Sequence, residues 1–229
     1  MLRNSAAVDE IQATKRPAHQ SAYESLRAKV LFGDLAPGQA VTIQGLTDDL
    51  GTGMTPVREA IRRLTSEGAL SMQGNRRVIV PELSTSCIDQ LDFMRQSLEP
   101  ELARRAVSHI DSSVLDGLHA QDEALNSAIT QGDIPAYLIH NYKFHAVLYT
   151  AANAPILAET VDRLWLRFGP SLRVVCGRYG TMNLPDKHAD LLEALTRRDA
   201  DAAARTIAED VHQGMLQIRA SLDAAMPHA

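Results

Sequence analysis

From Ser86 to Ala224 the apolar residues recur at spacings of three and four and never alternate long enough to make a convincing strand, which commits the rear of the chain to packed helices. Candidate helices run from about Ser86 to Val107, Ser112 to Thr130, Ile134 to Ala152, Pro155 to Arg178, Pro185 to Arg197 and Ala200 to Ala224. Asp111, Asp133 and Asp199 stand where N-caps belong, and Pro100 falls inside the first of these helices, where it predicts a kink or a break. This part of the chain reads as an all-α bundle, residues 84–225, entered through Pro81 and the polar Ser84-Thr85-Ser86.

The front reads differently. Residues 1–20 lack sustained periodicity and predict a mobile arm. Tyr23, Leu26, Val30 and Leu31 then mark a first helix, closed by Gly33-Asp34 and Pro37-Gly38. Ala40–Ile43 predicts a brief strand and Gln44–Leu50 a second helix. Thr55 followed by Pro56 predicts the N-cap and first turn of a third, since proline lacks an amide that would be unsatisfied there. Ala60, Ile61 and Leu64 give that helix its apolar stripe, and Gly68 suits its left-handed C-terminal cap. Two apolar runs, Ala69–Met72 and Val78–Val80, flank Gln73-Gly74-Asn75-Arg76 as a hairpin. Three helices and a hairpin make a winged helix-turn-helix over residues 21–81, so the whole chain is mainly α.

Charge follows the same division. The net charge of −5 hides a front third with 10 Lys/Arg against 8 Asp/Glu, and a remainder with 13 against 20. Arg58, Arg62, Arg63, Arg76 and Arg77 lie among residues 54–80 with only Glu59 and Glu67 to oppose them, a local surplus suited to phosphate contact. In a helix-turn-helix the third helix enters the major groove. Arg58 and Arg62 share a face of that helix, Arg63 lies about 100° round from Arg62, Thr55 stands at the amide-rich N-terminus, and Arg76 and Arg77 sit at the hairpin tip. Double-stranded DNA is the partner these positions suit. One winged helix makes few base contacts, so two-fold related half-sites and a homodimer follow.

No apolar run approaches the ~20 residues of a membrane span, and the N-terminus carries Asp9 and Glu10 where a secretory signal would be apolar. A cytoplasmic protein without a membrane partner is expected. Cys87 and Cys176 are too few and too far apart for a disulfide framework and are read as free thiols.

The stretch Thr55-Pro56-Val57-Arg58-Glu59-Ala60-Ile61-Arg62-Arg63-Leu64, with Gly38, Glu67-Gly68 and Asn75-Arg76, resembles the N-terminal domain of GntR-type bacterial transcription regulators. The resemblance implies that Arg58 contacts the operator, that Thr55 and Arg62 support it, and that Glu59 orients the helix. Two positions depart from it: Gly53-Met54 stands where that family has Ser-Arg, and Arg77 where its wing has Gly.

In the rear bundle Asn141 and His145 are four apart and project from one helical face, with His188 in the first turn of the penultimate helix and His212 midway along the last. A bundle can gather these four around one ion. Imidazoles suit divalent zinc or nickel, yet a single buried histidine is more often a hydrogen-bonded core residue than a ligand, and spacing leaves both readings open. Tyr142, Phe144, Tyr149 and Trp165 are open in the same way between cavity lining and plain core.

Arg95-x-x-x-Glu99, Phe144-His145, Asn153, His188 and His212 in that order resemble the FCD ligand-binding domain of the FadR subfamily. The resemblance implies a divalent metal held by Asn141, His145, His188 and His212 at an effector pocket faced by Arg95. The family has Asp where this chain has Asn141, so a more positive site is expected, one that favours a small carboxylate effector paired with Arg95. The resulting reading is a DNA-binding regulator, commonly a repressor, and not an enzyme. A metal-dependent hydrolase built on three histidines and a pure metal sensor are the alternatives.

Overall fold

The structure is a computed structural model that describes residues 17–74, 77–180 and 187–224. Its elements in chain order are α1 (Ala18–Leu31), β1 (Ala40–Thr42), α2 (Ile43–Leu50), α3 (Met54–Ser66), β2 (Ser71–Gln73), β3 (Arg77–Ile79), α4 (Thr85–Ala106), α5 (Ser112–Gln131), α6 (Ile134–Ala151), α7 (Pro155–Tyr179), α8 (His188–Thr196) and α9 (Ala200–Asp223). Three helices with a three-stranded antiparallel sheet in the order β1-β3-β2 form the winged head, in which Val41 and Met72 both face Val78 across the strands. Six helices follow. No helix among the described residues is long and apolar enough to cross a membrane.

Side-chain caps fix several helix starts. Asp111, Asp133 and Asp199 accept hydrogen bonds from the amides of Val114, Ala136 and Ala202, as their placement before each apolar period predicts. Thr42 and Ser84 do the same for α2 and α4. Thr55 does not cap α3: that helix begins one residue earlier, at Met54, with Gly53 as its N-cap, and Pro56 falls within the first turn, where its missing amide is still harmless. Ala18–Gln20 belong to α1 rather than to the arm.

The hairpin also shifts from its expected register. Ala69 and Leu70 are buried and their amides close the end of α3 on the Leu64 carbonyl, so they anchor the helix and the strand starts at Ser71. Gly68 takes a φ of +76° there, the left-handed geometry of a C-terminal cap. Pro100 neither breaks nor splits α4, which continues through it for 22 residues.

The head is not a loose appendage. One buried cluster runs from Leu26, Val30 and Leu64 in the head through Leu102, Phe144, Phe168 and Leu191 in the bundle. The backbones of α1 and α7 approach so closely that a Cβ on Gly169 would lie 2.5 Å from the Leu31 carbonyl oxygen, which leaves glycine as the residue that fits. Phe32, just past α1, packs on a second cluster formed by Leu125, Ala128, Tyr137, Leu138 and Cys176. At the same junction Arg27 Nη2 of α1 meets Asp162 Oδ1 of α7 at 2.5 Å and the Tyr142 hydroxyl of α6 at 3.2 Å, and that hydroxyl donates to Asp162 at 2.6 Å.

Both cysteines are free, in opposite settings. The Ser84 hydroxyl and amide hold the exposed Cys87 thiol below the ordinary cysteine range, whereas burial pushes the Cys176 thiol up to about 12. Only thiolate attacks a disulfide reagent. At pH 8 the native protein should therefore react with Ellman's reagent at Cys87 alone, and Cys176 should respond only after unfolding in guanidinium. Two fast-reacting thiols in the native state would mean that the α7 core opens readily.

Candidate functional site

Three donors from three helices converge in the bundle: His145 of α6, His188 of α8 and Asp210 of α9, with their ligand atoms all within 4.8 Å of one another. Each is held from behind. His145 Nδ1 lies 3.0 Å from the Tyr149 hydroxyl, and that hydroxyl donates to Glu99. A phenol has one hydrogen, so toward His145 it can only accept. The Nδ1 of His145 therefore carries a hydrogen, and its Nε2 faces Asp210 Oδ2 at 3.4 Å. His188 is stacked on Phe144 at 3.8 Å and its Nδ1 meets Asp122 of α5 at 3.3 Å.

Burial alone would raise the Asp210 carboxyl, but the hydrogen bond and charge of His145, with His188 and Arg95 beyond it, outweigh that and hold it at about 2. Asp210 is thus a carboxylate facing the His145 ring nitrogen. A cation, whether a proton on His145 Nε2 or a metal ion, satisfies that pair, and two imidazoles with one carboxylate are a donor set that divalent transition metals accept. The residues present fit such an ion.

Of the residues the sequence singled out, Asn141 lines the same small cavity as His145 and Asp210. His212 is not brought there. It lies two residues beyond Asp210, about 200° round the helix, with its side chain 54% exposed and its Nδ1 3.6 Å from Asp92. A three-histidine centre is therefore not assembled, and with it goes the geometry on which a three-histidine hydrolase would depend. Asp210 also supplies a carboxylate that Asn141 lacks, so the site is less positive than the sequence suggests.

Arg95 lines the cavity but is not an unpaired anchor. It is buried and binds Glu99 through Nε at 2.5 Å and Nη2 at 3.1 Å, with its guanidinium 4.0 Å from the Phe168 ring centre and 5.3 Å from that of Trp165. Glu99 and Tyr149 stand out in the sequence without the roles they take here, and Asp210 and Asp122 do not stand out. The available signal was phase: Ala203, Ile207, Asp210 and Gly214 share a stripe of α9, whereas Arg205, Glu209, His212 and Leu216 share a polar one.

On the head, burial of Val57, Ala60, Ile61 and Leu64 turns Thr55, Arg58 and Arg62 outward, all exposed. Arg58 and Arg62 border a trough whose floor is Ile43, Ile61 and Met72. Arg62 pairs loosely with Glu59 at 3.0 Å. Arg63 is braced by the head itself, its guanidinium 3.6 Å above the Tyr23 ring and 3.2 Å from Glu67, so it is less available to a phosphate than the sequence suggests. Arg77 opens β3 at the wing, and Arg76 lies outside the described residues.

Comparison with known proteins agrees with this division. The profile of the family described as bacterial regulatory proteins, gntR family, matches residues 18–80, and that of the FCD domain matches residues 91–213. The HTH-type transcriptional regulator McbR of Escherichia coli is 31% identical over 193 residues, 83% of this chain and 87% of that one. The HTH-type transcriptional repressor RspR of the same organism is 25% identical over 211 residues, 89% and 91% of the two chains. The solved structure of E. coli McbR/YncC superposes with a TM-score of 0.85 at 27% identity, covering 91% of this chain and all of that one. A putative GntR regulator from Rhodococcus shares the fold at a TM-score of 0.72 and 18% identity, over 88% and 97%.

Trp165 is the only tryptophan and its ring lies 5.2 Å from that of His145, so its emission should report the centre directly. Adding zinc to metal-free protein should change Trp165 fluorescence to saturation. His145→Ala and Asp210→Asn should weaken that response by about tenfold or more, at least the loss expected on removing a ligand's supporting partner, while His212→Ala should leave it intact. Loss of the response in His212→Ala with retention in Asp210→Asn would reassign the third donor.

Proposed function

The chain belongs to the GntR family of bacterial regulatory proteins, a helix-turn-helix transcriptional regulator with an FCD domain behind its head, and on that premise we propose that it is a cytoplasmic, homodimeric repressor released from its operator by a small carboxylate bound beside a divalent metal. The observation that carries the effector half is the convergence of His145, His188 and Asp210 on one point beside the cavity that Arg95 and Asn141 line. The RspR relative is a transcriptional repressor by name, which supports repression over activation.

A bound ion of the zinc or nickel type would supply a positive centre with an open position for a carboxylate oxygen. His145, His188 and Asp210 are the residues that would hold it. Asn141, one turn before His145, offers an uncharged amide to the same ligand, and Arg95, whose pairing with Glu99 uses Nε and Nη2, keeps Nη1 for it. Trp165, Phe168 and Leu172 close the cavity with apolar surface and keep it small.

At the head, Arg58 is the base-reading residue, Thr55 and Arg62 meet phosphates, and Arg76 and Arg77 serve the wing. Arg63 acts by stiffening α3 against α1. The homodimer follows from the small number of base contacts one winged head offers.

A ligand moves an equilibrium only through different affinities for its two states. The junction offers a physical means. Tyr142, next to Asn141, stands edge-on to Trp165 at 5.5 Å and to Phe32 at 5.9 Å, and its hydroxyl belongs to the Arg27–Asp162 cluster, so the cavity wall and the head share a side chain. Occupancy that shifts Trp165 against Tyr142 changes how firmly α1 is seated.

Two outcomes test this reading. Using duplexes enriched from a random library by the wild-type protein, Arg58→Ala should lose about tenfold or more in specific affinity, as for one arginine–guanine contact, with its melting temperature unchanged. Undiminished affinity would remove Arg58 from the interface. Screened with zinc and a panel of small mono- and dicarboxylic acids, Tyr142→Phe should bind the same acid as wild type yet lose much of the acid's effect on DNA affinity. An unaltered effect would place the coupling elsewhere, and a response to zinc with no acid would favour a metal sensor.

A further inference from the structure

The head exposes two large apolar side chains among its described residues, Met54 at 41% and Met72 at 50%, and both flank Arg58. Scattered apolar residues on a surface are ordinary, but these two are not scattered. Met72 forms part of the floor of the trough beside Arg58 and Arg62. Met54 opens α3 and stands one turn ahead of Arg58 on the same flank, with Ile61 and Thr65 continuing that line toward the C-terminus. Gly53 precedes it as N-cap, with no side chain to cover it.

We propose that Met54 is a specificity-determining residue that packs against the 5-methyl group of a thymine, one position along from the base read by Arg58. The proposal rests on the reading of α3 as the recognition helix. The first-turn residues of such a helix are those that reach base edges in the major groove. A thioether has no hydrogen to donate and accepts only weakly, so it cannot read the nitrogens and oxygens of guanine, adenine or cytosine. The thymine methyl is the one apolar group that base edges present in that groove. A long unbranched thioether side chain suits it, being flexible and polarisable enough to follow the groove wall. Contact would also take an otherwise water-exposed apolar surface out of water. An arginine in this place would seek a guanine instead, so the chain's Met54 predicts an operator with thymine at that step.

The test uses the full-length protein and duplexes selected from a random library by wild type and by Met54→Ala. Wild type should enrich one thymine in each half-site, and replacing that thymine with deoxyuridine, which lacks only the methyl, should weaken binding about fourfold, the value of one buried methyl group. Met54→Ala should enrich no preferred base at that step and bind thymine and deoxyuridine duplexes equally, while keeping its preference where Arg58 reads. Because Met54 is exposed, its melting temperature should not move. Met54→Ala enriching the same thymine, or wild type showing no deoxyuridine-sensitive step, would overturn the assignment while leaving DNA recognition intact. Failure of wild type to enrich any sequence would overturn the recognition-helix reading itself, and this proposal with it.

Discussion

The chemistry of the rear domain depends on a buried ion pair that does not touch the convergence point. Arg95 and Glu99 are both almost fully buried, and desolvating two charges is costly enough that such a pair is poor evidence for stability. Its effect lies in direction. Glu99 accepts from Arg95 and from the Tyr149 hydroxyl, so the phenol has no hydrogen left for His145, and the imidazole must protonate the nitrogen facing away from Asp210. A side chain at residue 99 that cannot accept would free the Tyr149 hydroxyl to donate to His145 Nδ1 instead. The i,i+4 spacing on α4 thereby keeps His145 Nδ1 a donor on α6, across the bundle.

The site is assembled from α6, α8 and α9, with Asp122 of α5 behind His188, and its aromatic wall belongs to α7. All of these elements lie outside the winged head. The head is tied to the same α6 and α7, through Gly169 under the Leu31 carbonyl and through Arg27, Asp162 and Tyr142. A close-packed interface of this kind tends to switch between discrete seatings rather than deform gradually, because its glycine contact and its ion pair leave little slack.

Much of the architecture was legible because it is written in local chemistry. Aspartates ahead of apolar periods cap helices wherever they stand, and Gly68 ends α3 because few other residues tolerate its φ. Errors arose where two local rules competed. Thr55 satisfies the capping rule, but Gly53 two residues earlier leaves the helix free to start sooner; Ala69 and Leu70 suit a strand, but the carbonyls at the end of α3 needed their amides. At the centre, residue type misled where helical phase was decisive. His212 is the better ligand by type, yet it shares a stripe with Arg205 and Glu209, while Asp210 interrupts the apolar stripe that faces the core. Arg95 was read for its charge, although its partner stood four residues on. Asp122 carries no signal and Tyr149 only that of an aromatic at helical spacing, since their roles exist only once α4, α5, α6 and α8 are packed together.

Asn141 and Asp210 are best understood together. Relative to the pattern that the sequence resembles, the carboxylate is absent from the turn before His145 and present on α9, so the site keeps an acidic donor while changing the helix that carries it. That relocation has a mechanical consequence. With Asp on α6, two donors would ride on one helix and the last helix would contribute through a neutral ring; with Asp210, a carboxylate of α9 meets His145 of α6. α9 also packs along α4, where Gln96 donates to the Ala208 carbonyl and Arg219 meets Asp89. A cation held by His145 and Asp210 would therefore join α6 to α9 and, through α9, to the helix that follows the wing, with Asn141 as an uncharged side chain lining the same cavity.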